Sequence, residues 1–423
     1  MKFLPTLFLF LLSIISYSQQ CGSDLLIGRN PLLETRSSTL CDDVDTTTQV
    51  TIPVVFHIIH LGETDVSNIS DSQVLGALDN LNDRFRANPD GVGVTENTID
   101  SHINFCLAQR TPEGEPTTGI TRHDGSDFVF EGQSYAASGV RVPGSSSSGI
   151  DDEWLKTQVG CWDVAYYCNI YIVTEINNGS STRGYAYLGY IGDCREGIVV
   201  RNGALGLEGT VAPNTDKNVV LAHEMGHFLD LYHTFHLGGS MDSCDDTIGV
   251  NCCTSGDRVC DTPDQWKQGV SCSGNFCDQV PVNNIMDYGS EECKDMFTPG
   301  QIKRMRSHIF DERSPMISIE NLACVDPNGT CQYDFNEDGI VSSPDLLLVI
   351  GEFGCTSGCE YDLDGDGSVG SADLLLILGL FGVCNEIEPT IPTQQLGQKF
   401  HDHTGFYILY QGKKYDLSGR PLD

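Results

Sequence analysis

Residues 223–233 read HEMGHFLDLYH. Two histidines four positions apart on a helix project from one face, one turn above the other. His223 and His227 can therefore share a metal ion through their imidazoles. Glu224 follows the first histidine and stands beside that ion without ligating it, the place of a general base that takes a proton from water. His233 lies six residues beyond His227, too far along a straight helix to reach the same ion. The helix is expected to stop near Asp230 and turn sharply, so that His233 returns as third ligand. Three neutral nitrogen donors leave a fourth position open to water, the arrangement of a catalytic rather than a structural zinc site. The alternative is a buried helix with histidines by chance, and the sequence downstream argues against it.

That downstream sequence contains Asn-Ile-Met-Asp-Tyr at 284–288. With the histidine string it resembles the HExxHxxGxxH and methionine-turn pattern of metzincin zinc metalloproteases. The surrounding phrases are similar to the pappalysin (cytophagalysin, ulilysin-like) branch: HTF from the third histidine, DTPDQ at 261–265, MFTPGQIKRM at 296–305, TIPVVFHIIH at 51–60 and INFCLAQRTPEGEPTTGITR at 103–122. The likeness spans roughly residues 49–312. It implies an α+β catalytic domain with a mixed twisted sheet, an active-site helix and an irregular, disulfide-rich C-terminal subdomain. It implies Met286 as the floor under the zinc histidines and Tyr288 as a group reaching toward the metal and the oxyanion. It further implies a Cys272–Cys293 bridge, other connectivities remaining open. A structural calcium at GDRVCDT would be held by Asp257, Thr262 and the carbonyl of Cys260; the other reading of these oxygens is a solvated acidic loop. One departure stands out. The pattern's glycine at the helix end is Asp230 here, at a position that usually needs a left-handed backbone. Aspartate tolerates that conformation better than most residues, at a cost of about 1 kcal/mol.

Twenty-four basic against 59 acidic residues give a formal net charge of −35. Such a chain lacks the basic patches that phosphate binding needs, which excludes nucleic acid as a partner; the acidic balance suits calcium binding and solubility. Eighteen cysteines point to disulfides in an oxidising compartment. The N-terminus agrees: MK, then FLPTLFLFLLSII, then SYSQQ has the layout of a secretory signal peptide, with cleavage expected after Gln19. No other run approaches a membrane span, so the mature protein is expected to be soluble and exported.

The organisation follows as a signal peptide over 1–19, a propeptide over 20–48 and a metalloprotease domain over 49–325. In the last, TIPVVFHIIH reads as a buried strand and ISDSQVLGALDNLNDRF as a helix capped by Ser70 or Asp71. NIYIVTEI, YAYLGYIG and GIVVRNGAL read as further strands, and DKNVVLAHEMGHFLDL as the active-site helix with Thr215 or Asp216 as cap. By resemblance to ulilysin-type zymogens, Cys21 blocks the metal as a latency switch. Cys41 is the runner-up, and a Cys21–Cys41 disulfide is the competing account.

Residues 334–345 read DFNEDGIVSSPD and 362–373 read DLDGDGSVGSAD, a duplication at a spacing of 28. Each offers oxygens at loop positions 1, 3, 5 and 12 with glycine at position 6. One calcium falls to Asp334, Asn336, Asp338, Asp345 and the Ile340 carbonyl; the other to Asp362, Asp364, Asp366, Asp373 and the Ser368 carbonyl. The pair resembles the dockerin repeat, which implies a small all-α module over 326–385, acting as a calcium-locked spacer or docking a cohesin-like partner. Cys331, Cys355, Cys359 and Cys384 are expected to pin it with two bridges, since so short a segment buries little core. A linker and tail fill 386–423, where short β-like runs loosely resemble the sorting domains of Bacteroidetes type IX secretion cargo and admit cell-surface attachment.

The expected function is a secreted zinc metalloendopeptidase that hydrolyses peptide bonds of extracellular proteins, with one catalytic zinc, two calcium ions in the repeats and a further calcium in the catalytic domain. The alternative is a catalytically weak or dead zinc- and calcium-binding adhesion or scaffold protein, motivated by Asp230. Intact Glu224 counts against the alternative.

Overall fold

The computed structural model describes Cys21, Ser23, Leu26, residues 44–211, 219–236, 256–263, 282–318 and 321–324, Cys252 and Cys272, and parts of 333–383 and 399–422. Contacts divide the chain into two units, Met1–Cys324 and Val325–Asp423.

The first unit is built on β1 (Val50–His60), buried at every position except Thr51. A strand flanked on both edges and covered on both faces reads as an unbroken apolar run. Its first half pairs in parallel with β2 (Ile103–Leu107) and its second half with β3 (Ile120–Asp124). On the opposite edge lies β4 (Cys168–Val173), also parallel. The sheet continues through β6 (Ile198–Arg201), parallel to β4, and ends at β5 (Gly184–Ala186), its one antiparallel member. This mixed, mostly parallel sheet is of the kind the resemblance implied. α1 (Asp71–Arg86) begins where Ser70 accepts the Gln73 N–H at 3.2 Å. α2 (Asp152–Val159) starts at an Asp151 cap.

α3 (Val220–Phe228) carries the histidine string and is buried along its whole length. Its start differs from expectation. Thr215 and Asp216 lie outside the described residues, and the cap position is Val219, which has no side-chain acceptor to offer. The Glu291 carboxylate accepts the Val219 N–H at 3.4 Å, so a distant acid serves one of the amides that a helix start leaves unsatisfied. α4 (Pro299–Glu312) opens with a capping box between Thr298 and Gln301 and proline in its first turn. One apolar cluster joins β1, β4, β6, α1, α3, α4 and Met286. Bridges join Cys106 to Cys324, Cys161 to Cys194, Cys252 to Cys260 and Cys272 to Cys293. No described helix is long and apolar enough to cross a membrane.

In the second unit, α5 (Ser343–Gly351) and α6 (Ser371–Leu378) follow the two acidic loops. Val341 and Val369, equivalent positions of the two repeats, are both buried. Gly354 donates to the Val369 carbonyl, and the Val369 N–H to Cys355, each at 2.9 Å. Cys355 and Cys359 are bridged; Cys331 and Cys384 lie outside the described residues. The tail forms four short antiparallel strands between Lys399 and Leu422.

Candidate metal centre

α3 ends in a Schellman motif: the Leu231 N–H reaches the Gly226 carbonyl and the Asp230 N–H reaches the His227 carbonyl, both at 2.9 Å. The left-handed residue in it is Asp230, at φ 74°. The reversal returns the chain so that His233 Nε2 lies 3.2 Å from His223 Nε2 and 3.0 Å from His227 Nε2. Two nitrogens each about 2.05 Å from a tetrahedral zinc stand about 3.3 Å apart, so the three imidazoles fit one zinc ion. The Cys21 thiol completes the group, the four ligand-type atoms lying within 4.8 Å of one another.

The hydrogen bonds behind the rings fix their tautomers. His223 Nδ1 lies 2.7 Å from the Ile285 carbonyl and His227 Nδ1 2.7 Å from the Leu231 carbonyl. A carbonyl only accepts, so both Nδ1 atoms carry the proton and both Nε2 lone pairs face the centre, as metal-binding histidines require. Burial first, then the other two histidines, push the His223 pKa well below its ordinary value, which keeps the ring neutral. Lys294, fully buried, donates to the Ile285 carbonyl at 3.5 Å and to that of Asp287. Burial lowers its ammonium to about 7.

Glu224 is buried beside the rings. Its Oε2 accepts the Cys21 thiol at 3.3 Å and the Ser23 hydroxyl at 3.2 Å. Cys21 bridges in parallel to Gly184 on the edge strand β5, and the Ala186 N–H donates to Ser23 Oγ at 3.0 Å. Tyr288 donates from its hydroxyl to the Cys21 carbonyl at 3.0 Å, with its ring 4.6 Å from that of His233. The N-terminal segment thus meets the edge strand, the acid, the histidines and the tyrosine together. Leu26, beyond it, is buried in the apolar cluster that includes Tyr185 and Tyr187.

Met286 lies beneath α3, where a Cβ at Gly226 would collide with its Sδ; its own N–H is accepted by Asn284 Oδ1 at 2.9 Å. Asn284 in turn donates to Gln301 Oε1 at 2.8 Å, tying the methionine turn to α4. Sequence reasoning missed Gly226, Gly184, Ser23, Lys294 and Arg304. Gly226 was open to it in principle, as a glycine inside a helix calls for a close approach. A Cβ at Gly184 would stand 3.0 Å from Glu224 Cγ and Oε1, a crowding no local pattern announces. Asp230 takes the expected left-handed conformation, but it has a partner that the sequence reading did not foresee. Its carboxylate is buried in an ion pair with Arg304 at 2.6 Å.

Asp257 and Thr262 are brought together, Thr262 Oγ1 donating to Asp257 Oδ2 at 2.6 Å and to the Val259 carbonyl at 2.9 Å. Cys260, between them, is bridged to Cys252. In the second unit, Asp345 Oδ1 accepts the Phe335 N–H at 2.8 Å and Asp373 Oδ1 accepts the Leu363 N–H at 2.7 Å. These are equivalent bonds in the two repeats. Asp362 Oδ2 accepts the Gly367 N–H at 2.8 Å. Ile340 lies in a short strand and Ser368 precedes the buried Val369. Asp334, Asn336, Asp338, Asp364 and Asp366 lie outside the described residues.

A family model described as Pregnancy-associated plasma protein-A, Peptidase M43, matches residues 151–310. An extracellular metalloprotease of Arthroderma benhamiae is 25% identical over 272 residues, 62% of this chain and 78% of that protein. One from Arthroderma otae is 25% identical over 306 residues, 69% of this chain and 91% of its own. Among solved structures, Tannerella forsythia mature mirolysin in complex with a cleaved peptide is similar with a TM-score of 0.51 and 27% identity. The match covers 66% of this chain and 99% of that one. A promirolysin mutant from the same organism gives a TM-score of 0.50 and 25% identity, over 70% of this chain and 91% of that one. The extracellular relatives support secretion, and the mirolysin likeness supports a metzincin-type fold. With these likenesses and a histidine centre that fits zinc, the chain is a zinc metalloprotease.

Proposed function

We propose that the protein is a secreted endopeptidase that cleaves peptide bonds of extracellular proteins, with His223, His227 and His233 holding the zinc. The convergence of three Nε2 atoms beside the buried Glu224 carries this reading. Zinc, when bound, supplies Lewis-acid polarisation of water and of the scissile carbonyl. Glu224 takes the water's proton and delivers it to the leaving amine. Tyr288, whose hydroxyl reaches the Cys21 carbonyl in the present arrangement, donates to the oxyanion of the tetrahedral intermediate. The outer edge of β5 takes the substrate backbone as an added strand; its pairing with Cys21 supports that use. Mirolysin's complex with a cleaved peptide supports a peptide substrate.

The segment at Cys21 is read as a latency switch. Its thiol joins the metal-ligand group, and a thiolate is a good zinc ligand. The same segment engages Glu224 and Tyr288, so water and substrate are excluded together. The acidic loops of the second unit are read as two calcium sites of a dockerin-like spacer, supported by the equivalent amide bonds at Asp345 and Asp373. Asp257, Thr262 and Cys260 are read as a third.

The test uses the processed protein, fluorogenic peptides and metal analysis. Glu224→Gln is expected to keep its zinc and lose about two to four decades of hydrolysis. More than a tenth of wild-type activity would remove Glu224 from the mechanism. In the unprocessed form, Cys21→Ala is expected to be active; latency equal to unprocessed wild type overturns the switch.

A further inference from the structure

We propose that Arg304 is a positioning residue of the metal centre, acting through Asp230 on two of the three histidines. The proposal rests on the reading of His223, His227 and His233 as zinc ligands. Its starting point is the turn 230–233, which does two tasks at once. The carbonyl of Leu231 accepts the proton of His227 Nδ1 at 2.7 Å, and the chain beyond it delivers His233. A shift of this turn disturbs the orienting bond of one ligand and the location of another.

Glycine would hold a left-handed position without help. Aspartate does not, and its carboxylate is here fully buried, where an unpaired charge is strongly disfavoured. Arg304 answers both demands. Its Nε donates to the Asp230 carbonyl at 2.7 Å and one Nη donates to the Asp230 carboxylate at 2.6 Å. One planar fork thus holds main chain and side chain of the same residue, which a lysine's single ammonium cannot reproduce. The guanidinium also lies 5.4 Å from the ring centroid of Tyr232, the residue just before His233, and Arg258 lies 4.9 Å from that centroid.

The base of this clamp is fixed independently. α4 is anchored at its start by Asp261, which accepts from Thr298 Oγ1 at 2.6 Å and from the Gly300 N–H at 2.7 Å. Just past its end, Arg313 donates to the Phe228 carbonyl at 3.1 Å. α4 therefore braces the end of α3 on either side of the turn.

The experiment measures zinc affinity on the full chain by competition with a chromophoric chelator, zinc itself being the probe, and melting temperature with and without zinc. The variants are Arg304→Lys, Arg304→Met, Asp230→Gly and the double Asp230→Gly/Arg304→Met. Each single variant is expected to weaken zinc binding by about 10- to 100-fold, the range typical of lost outer-shell support. The double variant is expected to return to within about threefold of wild type, since glycine needs no partner for the left-handed turn and no charge is stranded. Single variants that bind zinc as wild type does would overturn the proposal. So would equal losses of melting temperature with and without zinc, the mark of a purely structural ion pair, or a double variant as weak as the product of the singles. Should Arg304→Met fail to fold, Arg304→Lys and the double variant still decide. Wild-type zinc stoichiometry is read first: a chain that takes no zinc sinks the metal reading and the clamp with it, whereas one zinc per chain with unchanged affinities sinks the clamp alone.

Discussion

The histidine string at 223–233 and the acidic loops at 334–345 and 362–373 are runs of similar length, both rich in ligand-type residues, yet they are held in opposite ways. His227 is oriented by the nearby Leu231 carbonyl, but the rest of the histidine string is held from far along the chain. The Ile285 carbonyl fixes His223, Met286 fills the space under Gly226, and Arg304 grips Asp230. In the acidic loops the bonds to the described carboxylates are local: Phe335 to Asp345, Leu363 to Asp373, Gly367 to Asp362 and Gly370 to Asp373, none of these four spanning more than ten residues, while the longer-range pairing there is of main chain, at Val369 and Ile340. A site organised from a distance is as rigid as the surrounding core. A site organised by its own loop, crowded with carboxylates, depends on whatever neutralises them.

The largest expected effect tests that contrast directly. Withdrawal of calcium with a calcium-selective chelator is expected to expose residues 334–384 to limited proteolysis at least about a hundredfold faster, because like charges then face one another without compensation. Cleavage within 50–211 is expected to change by less than about twofold. Equal protection of both regions in chelator would break the comparison.

Acid should act the other way round, on the catalytic unit. Burial pushes the His57 imidazole down to about 4; it sits between Thr121 and Asn169 at 2.8 and 2.9 Å. The unfolded chain takes up a proton near pH 6.5 and the folded one only near 4. This contribution is therefore fully present above pH 6.5 and is lost as pH falls toward 4. At roughly 1.4 kcal/mol per pH unit it amounts to about 3 kcal/mol. Denaturant unfolding of wild type and His57→Gln at pH 7 and pH 4.5 measures it as a difference of differences. A pH dependence identical in the two proteins would assign the acid sensitivity elsewhere.

A smaller effect sharpens the account of distance. Gly226→Ala sets a methyl against Met286 Sδ, and overpacking of this kind costs about 2 kcal/mol. Unfolding of the first unit is expected to shift by that amount with no change in the protease resistance of 334–384. An unshifted midpoint would mean that Met286 yields freely and is no floor.

Much of this was legible in the sequence. The buried apolar run of β1, the Ser70 cap of α1 and the reversal at Asp230 all follow from residues within a few positions of one another. The start of α3 was misread for the complementary reason: a search for a nearby cap could not find Glu291, 72 residues away. The HExxH spacing fixes two imidazoles on one helical face, because helical geometry is local. Which distant carbonyl accepts the Nδ1–H of His223, why position 226 must be glycine, and that Asp230 is ion-paired with Arg304 were decided only by tertiary packing. Ile285 reaches His223 from 62 residues away and Arg304 reaches Asp230 from 74, and a spacing of that length carries no periodic signal. Sequence alone determined what chemistry the chain carries; the folded core decided how firmly each group is held to it.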